Sequence, residues 1–362
     1  MMSDTVFLTG ATGYIGSSLL QTWLEKTDAK IVVLAREKRG AKPLARVENA
    51  LAGLSPARGE RALPARIEVA EGDVSFERFG LQEKPYRELA SRVTHIIHCA
   101  AAARFDLELD DARKTNVGGT RTVLDFGRAC GGLRRIDYIG TAYVAGRRSG
   151  VIKEDELDEG QEHSNTYERS KMEAEKLVRE SMRDLPVAIL RPSIVICDSR
   201  TGRASNFNGF YRAMRMYSLG LMEAVPGNPS STMDLVPVDY VTEAIYSISS
   251  NPASVGRCYH LTAGLNNAPT LEEIAALASE HFGREKFAIV PPTIFVANIS
   301  RLEETLTEEM RDRIDEIMLY MPYLTGELRF DNSNTMRETG LEAPPVGSYF
   351  GKMAEYIRRT PK

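Results

Sequence analysis

Through the first two-thirds of the chain, short apolar runs alternate with longer stretches in which apolar residues recur every three or four positions. The runs fall near 5–9, 31–35, 67–70, 94–99, 136–140 and 187–191, each of strand length. Helix-length segments lie between most of them. Ser17 to Lys26 sets Leu19, Leu20, Trp23 and Leu24 at helical spacing, and Asp110 to Cys130 and Thr166 to Arg183 repeat the pattern. Strands buried on both faces read as continuous apolar runs, and their alternation with amphipathic helices predicts an α/β fold. The expected architecture is a Rossmann-type, doubly wound parallel sheet with helices on both faces.

After Pro192 the pattern changes. Residues 198–230 carry Gly202, Gly209, Gly220, Pro226, Gly227 and Pro229 around a stretch rich in aromatic residues and Met, Phe207 to Met222, which predicts a covering element in place of another sheet repeat. Strand patterns return at Met233 to Pro237 and Cys258 to Thr262, and helical ones at 270–282 and about 299–320. This divides the chain into a nucleotide-binding domain over 1–195, with contributions from about 233–263, and a smaller, mostly helical substrate-binding part over 196–232 and 264–362. The second part is expected over the strand ends, where ligands of such folds bind.

Composition narrows the function classes. The 362 residues hold 46 Lys plus Arg against 50 Asp plus Glu, a net charge of −4 with no long run of one sign. Nucleic acid is therefore not an expected partner, since neutralising phosphates needs clustered basic charge. Cys99, Cys130, Cys197 and Cys258 are far apart and form no CxxC pair, so neither a disulfide framework nor a metal site is expected, and a reducing compartment is the simple reading. The N-terminus shows no signal-peptide pattern, and no apolar run approaches the ~20 residues of a membrane helix. A cytoplasmic location follows as the expectation.

The first strand leads into Thr9-Gly10-Ala11-Thr12-Gly13-Tyr14-Ile15-Gly16, which opens a helix. Gly10 would permit the tight turn, Gly13 would let backbone approach a pyrophosphate, and Gly16 would allow close packing, with the helix N-terminus facing the phosphates. The second strand ends at Ala35-Arg36, where an NAD site would carry an acidic residue for the ribose 2′-hydroxyl. Arg36 suits a 2′-phosphate and so NADP; the other reading makes Arg36 a surface residue and gives Glu37 the acidic role. Asp73, after the third strand in Glu71-Gly72-Asp73-Val74, would accept from the adenine amino group or serve as a strand-end turn residue.

Tyr167 and Lys171 lie four apart on an expected helix and so project on one face. A nearby ammonium stabilises a phenolate and can also hold the nicotinamide ribose. The fifth strand ends at Thr141, placed to donate a hydrogen bond to an oxygen on which charge develops. Asn116 sits in a helix pattern although Asn is a poor helix former, which suggests a water-linked proton relay or a buried polar clamp.

In combination, TGATGYIG at 9–16, HCAAA at 98–102, TNVGGT at 115–120, the Thr141, Tyr167 and Lys171 set, and RPSIV at 191–195 follow one another along nearly the whole chain. So arranged, the sequence resembles the extended short-chain dehydrogenase/reductase family. The resemblance implies that Thr12, Tyr14, Ile15, Asp73 and Val74 join the glycines around the cofactor. It also implies that Ala100 and Ala101 line the cofactor cleft and that Pro192 and Ile194 pass near the nicotinamide carboxamide.

A finer resemblance rests on Gly140-Thr141-Ala142-Tyr143-Val144, on RPSIV followed by Gly202 and Phe207-Asn208-Gly209, and above all on Met233-Asp234-Leu235-Val236-Pro237-Val238-Asp239-Tyr240-Val241. These are similar to the acyl thioester and fatty acyl reductases, the male-sterility-type branch. They imply NADPH-dependent reduction of an acyl thioester of coenzyme A or a carrier protein to aldehyde, with further reduction to alcohol left open. The segment Phe207 to Leu221 would then line an acyl or pantetheine channel, or form plain core. Family members are often homodimers, and many fatty acyl reductases have a longer C-terminal region than the compact one here. The enzymatic alternative is a sugar-nucleotide epimerase or dehydratase, or an alcohol or ketone dehydrogenase, on the same scaffold. A dinucleotide-sensing protein would keep the fold without the Tyr/Lys pair.

Overall fold

The computed structural model of the protein describes residues 4–54, 63–204, 209–302 and 307–360. In chain order its strands are β1 (Thr5–Thr9), β2 (Lys30–Ala35), β3 (Ile67–Glu71), β4 (His95–His98), β5 (Arg135–Ile139), β6 (Gly150–Ile152), β7 (Val187–Pro192), β8 (Ile194–Ile196), β9 (Ala224–Pro226), β10 (Leu235–Pro237), β11 (Cys258–Leu261), β12 (Ala288–Val290) and β13 (Leu328–Phe330). Seven of them form one sheet in the order β11-β7-β5-β4-β1-β2-β3, every pairing parallel. The small pairs β8–β10, β9–β12 and β6–β13 lie outside it.

Both faces of the sheet are covered, which is why central strands such as β1 and β2 read as near-continuous apolar runs rather than alternating. On one face Leu19, Leu20 and Trp23 of the helix Tyr14–Lys26 and Val241, Ala244 and Ile245 of the helix Val238–Ser250 pack on Val6, Leu8, Ile31 and Val33. On the other, Val123 and Phe126 of the helix Gly119–Ala129 and Ala174 and Val178 of the helix Thr166–Ser181 pack on Phe7, Val32, Ile136 and Ile189. A separate core joins Tyr211, Met214 and Tyr217 of the helix Gly209–Ser218 to Ile274 and Ala275 of the helix Leu271–Phe282 and to Phe350 and Met353. The chain direction across the sheet reverses between β1 and β4, which opens a crevice at their C-terminal ends.

Two helical expectations are corrected. The pattern from Asp110 to Cys130 is three pieces: a helix Leu109–Arg113, a widened π-type turn Lys114–Gly118, and the helix Gly119–Ala129. Apolar spacing tolerates one extra residue in a turn, so periodicity alone reads straight through it. The pattern near 299–320 is likewise two helices, Pro292–Leu302 and Glu308–Thr325. Proline suits a first helical turn, and Pro292 starts the former earlier than apolar spacing indicates.

Candidate active site

The turn after β1 is built for close approach of backbone. Gly10 has φ +76°, and a Cβ there would stand 2.6 Å from the Ala100 nitrogen, so a side chain is excluded on both counts. A Cβ on Gly16 would come within 2.1 Å of the Gly10 carbonyl oxygen. The helix Tyr14–Lys26 therefore starts directly against this turn. Gly13 caps it with no side-chain hydrogen bond, and its first turn carries no acidic residue. Uncapped N–H groups at a helix start favour an anion. Nearby, His98 bridges the hydroxyls of Thr9 (2.8 Å) and Thr120 (3.1 Å), fixing the lips of the β1–β4 crevice. Burial, reinforced by the Lys171 charge, holds its pKa down to about 3, so this imidazole is a neutral brace.

Of the other residues expected around a cofactor, Thr12 accepts from Arg46 Nη2 (2.8 Å), and Tyr14 donates its hydroxyl to the Ile196 carbonyl. Ile15 packs on the core of one sheet face, Val74 is buried in that of the other, and Ala100 and Ala101 follow β4 after Cys99. Pro192 ends β7, and Ile194 starts β8.

At the end of β2 the Arg36 guanidinium is half-exposed and pairs with Asp73 at 2.6 Å. Asp73 also accepts from the Ser75 N–H at 2.9 Å, the arrangement of a strand-end turn. Its burial raises the carboxyl pKa, but the Ser75 and Arg36 hydrogen bonds outweigh this and hold it below the usual range. Arg46 joins the cluster by donating to the Arg36 carbonyl oxygen at 2.6 Å. Lys38 is pulled below its ordinary pKa, first by partial burial and then by Arg36, Arg46, Arg39 and Arg104. Like charges gathered this closely destabilise one another and are relieved by an anion. Arg46 was not legible in the sequence because it reaches this corner from the helix Pro43–Leu54.

The catalytic candidates converge beyond β5. Thr141 is buried and caps the short helix Ala142–Ala145, its Oγ1 accepting from the Tyr143 N–H at 3.2 Å. Burial pushes the Tyr167 pKa up to about 12, against the opposing influence of the nearby Thr141 hydroxyl, which favours the phenolate. Lys171 lies one turn on, with Nζ 2.9 Å from the Ile139 carbonyl oxygen and 4.4 Å from the centroid of the Tyr138 ring. Burial lowers its pKa to about 8, against the opposing pull of Cys99 and Glu175. The ammonium is thus directed at a backbone carbonyl, and the side chain that eases ionisation of the phenol is Thr141. Asn116 sits in the π-type turn, where its Oδ1 accepts from the Ala102 N–H (2.8 Å) and its Nδ2 donates to Ser170 Oγ (2.9 Å). It ties the loop after β4 to the helix carrying Tyr167 and Lys171.

Beneath that helix lies an ion pair the sequence reading gave no role. Arg191 of β7, fully buried, forks onto Glu175 at 2.6 and 2.9 Å, and its Nη1 meets His260 Nε2 of β11 at 3.1 Å. A charged residue inside an apolar strand run was the available signal. Above it, Phe105 packs on Tyr167 with ring centroids 5.8 Å apart, and Tyr320 and Tyr323 of the helix Glu308–Thr325 pack on Phe105. Of the two readings of Phe207 to Leu221, channel or plain core, the packing of its described residues supports core. Phe210, Tyr211, Met214 and Tyr217 are buried core, while Leu219 and Leu221 are exposed. Phe207 and Asn208 lie outside the described residues. Among the described residues no His, Cys, Asp or Glu group could hold a metal, and no helix is long and apolar enough to cross a membrane.

Comparison with known proteins adds independent findings. The family model described as male sterility protein matches residues 8–245. The chain is 30% identical to the non-canonical nonribosomal peptide synthetase cpsA of Aspergillus campestris, over 74% of this chain but only 26% of the synthetase. It is 26% identical to the fatty acyl-CoA reductase wat of Drosophila melanogaster, over 92% of this chain and 77% of that protein. The terminal R domain from the myxalamid PKS-NRPS biosynthetic pathway superposes with a TM-score of 0.84 at 27% identity, covering 99% of this chain and 91% of that one. UDP-glucuronic acid 4-epimerase from Bacillus cereus, in complex with NAD, shares the fold at TM-score 0.71 and 16% identity, covering 98% of this chain and 99% of the epimerase.

Proposed function

We propose, from the premise that the chain belongs to the male sterility protein family of NAD(P)-dependent reductases, that it reduces an acyl thioester of coenzyme A or a carrier protein with NADPH. The observation that carries this reading is the pair of buried Thr141 and Tyr167, with Lys171 one turn on, in a fold whose uncapped glycine turn leaves room only for backbone. The 26%-identical fatty acyl-CoA reductase and the 27%-identical R domain support the thioester class, whereas the epimerase likeness extends to fold alone.

The residues fit a dinucleotide. Gly10 and Gly16 leave room only for backbone at the turn, and the helix start at Gly13 offers its N–H groups to a pyrophosphate. Arg36, Lys38 and Arg46 would hold the 2′-phosphate that distinguishes NADPH, and Lys171 the nicotinamide ribose. When bound, the nicotinamide supplies a hydride to the thioester carbonyl carbon. The chain's own part is to hold the carbonyl oxygen between the hydroxyls of Thr141 and Tyr167, two donors already oriented before charge develops. A phenol held up to about 12 keeps its proton at neutral pH, so Tyr167 serves as the acid. The hemithioacetal so formed collapses when the Tyr167 phenolate retrieves its hydroxyl proton and the C–S bond breaks, leaving aldehyde and a thiolate that takes its proton from solvent. Asn116 keeps the helix bearing these groups in register with the loop after β4. The described parts of residues 196–232 and 264–362 would form the substrate side.

NADPH absorbance with purified protein decides the matter. Oxidation dependent on acyl-CoA thioesters, and faster with NADPH than with NADH, is the expected result. Turnover of sugar nucleotides or free carbonyls with none of thioesters would overturn the substrate class and leave the fold standing.

A further inference from the structure

The helix Glu308–Thr325 plays no part in the chemistry above, yet one of its side chains reaches the turn that bears Tyr167. The Tyr323 hydroxyl donates to Glu168 Oε1 (2.5 Å) and accepts from Asn165 Nδ2 (2.9 Å). Asn165 is the N-cap of the helix Thr166–Ser181, its Oδ1 accepting from the Glu168 N–H at 2.9 Å. Glu168 Oε2 in turn accepts from the Ser164 N–H at 2.8 Å. Tyr323 therefore holds both the residue that caps the helix and the one immediately after Tyr167. Its ring completes the contact: it stacks on Phe105 at 5.5 Å and 22°, and Phe105 lies on the Tyr167 ring. Edge-on at 4.9 Å, Tyr143 closes the other side.

We propose that Tyr323 is a positioning residue for Tyr167, latching the first turn of the donor helix to the helix Glu308–Thr325 so that the phenol points at Thr141 only when that helix is docked. A helix N-terminus frays unless its first N–H groups are held, and here Asn165, which holds the Glu168 N–H, and Glu168, which holds the Ser164 N–H just before the cap, are themselves held by one phenol. Glu168 is 1% exposed, so loss of its tyrosine donor leaves a buried carboxyl with an unmet hydrogen bond. Relaxing that strain by rotating the turn would carry Tyr167 with it. A shift of about 1 Å in a reacting group is enough to lose one to two powers of ten in rate.

The inference rests on the role given to Tyr167, and the test separates the two. Tyr323→Phe keeps the ring and removes the latch. In the full chain, amide hydrogen exchange over residues 164–170 should quicken, and kcat for octanoyl-CoA should fall about tenfold while the KM for NADPH stays unchanged. Glu168→Gln, whose amide can still meet the tyrosine hydroxyl, should retain most of the rate, and adding Tyr323→Phe to Tyr167→Phe should cost nothing further. Unchanged exchange overturns the latch, and quickened exchange with an unchanged kcat overturns its positioning role. If the unsubstituted chain does not reduce octanoyl-CoA, the thioester reading takes that failure and the exchange comparison alone decides the latch.

Discussion

A tyrosine whose pKa is pushed up to about 12 by burial is a donor that holds its proton until an oxygen anion takes it. Tyr167→Phe should lower turnover by about 10²–10⁴-fold while NADPH, titrated by fluorescence, still binds, because the substitution removes one hydroxyl from a site whose nucleotide contacts lie elsewhere. Arg46→Ala should weaken NADPH by about 10–100-fold and leave NADH affinity almost unchanged, since a hydrogen bond to a charged phosphate contributes about 1.5–3 kcal/mol and NADH has no such phosphate. Equal losses for the two cofactors would remove Arg46 from the 2′-phosphate site. At this scale the sequence was legible where placement follows from spacing along the chain, as for the close turn of Gly10 and Gly16 or for Tyr167 and Lys171 one turn apart on a helix. It was illegible where partners meet only on folding: Arg46 reaches Thr12 across 34 positions, and Tyr323 reaches Glu168 across 155.

The helix Thr166–Ser181 is anchored at three depths: by Asn116 on Ser170, by Lys171 on the Ile139 carbonyl, and by Glu175 on Arg191. The last is a buried pair, and removing one partner strands the other charge. Arg191→Leu should cost about 3–5 kcal/mol in urea unfolding, whereas Arg179→Ala, which takes away the more exposed neighbour of Glu175, should cost about 1 kcal/mol or less. At the nucleotide end, Gly16→Ala drives a Cβ onto the Gly10 carbonyl oxygen and should cost about 1–3 kcal/mol and weaken NADPH binding in the same preparation. Elements were read well where composition and periodicity agreed, so β1 was placed residue for residue and the other five early strands within one position at either end. The π-type turn escaped because its widening leaves the apolar stripe intact on either side. Asn116, a poor helix former in mid-pattern, was the residue that betrayed it.

Across the whole molecule, buried thiols and phenols set the response to alkali. Burial pushes Cys130 up to about 12 from an ordinary value of 9.0, and Cys197 higher still. Below pH 9 these thiols are protonated in both states and cost nothing; above it the unfolded chain loses protons that the folded chain keeps. Stability should therefore decline as pH rises from about 9 toward 12, measured as a falling urea midpoint, and Cys130→Ala should shallow the decline. A midpoint constant through that range would mean the thiols reach solvent in the native state. The parallel pairing of β13 with β6 has a consequence for the order in which the molecule is made. Everything in the nucleotide turn exists once β1 and β4 have been synthesised, and the donor helix once residue 181 has, whereas Tyr323 and β13 emerge last of the parts that meet at Tyr167. At ~5–20 residues per second the gap between donor and latch is roughly 7–30 s. During that gap a nascent chain on the ribosome would hold the proposed nucleotide cradle without its proposed acid aligned, so the site is completed only after residue 330 has emerged.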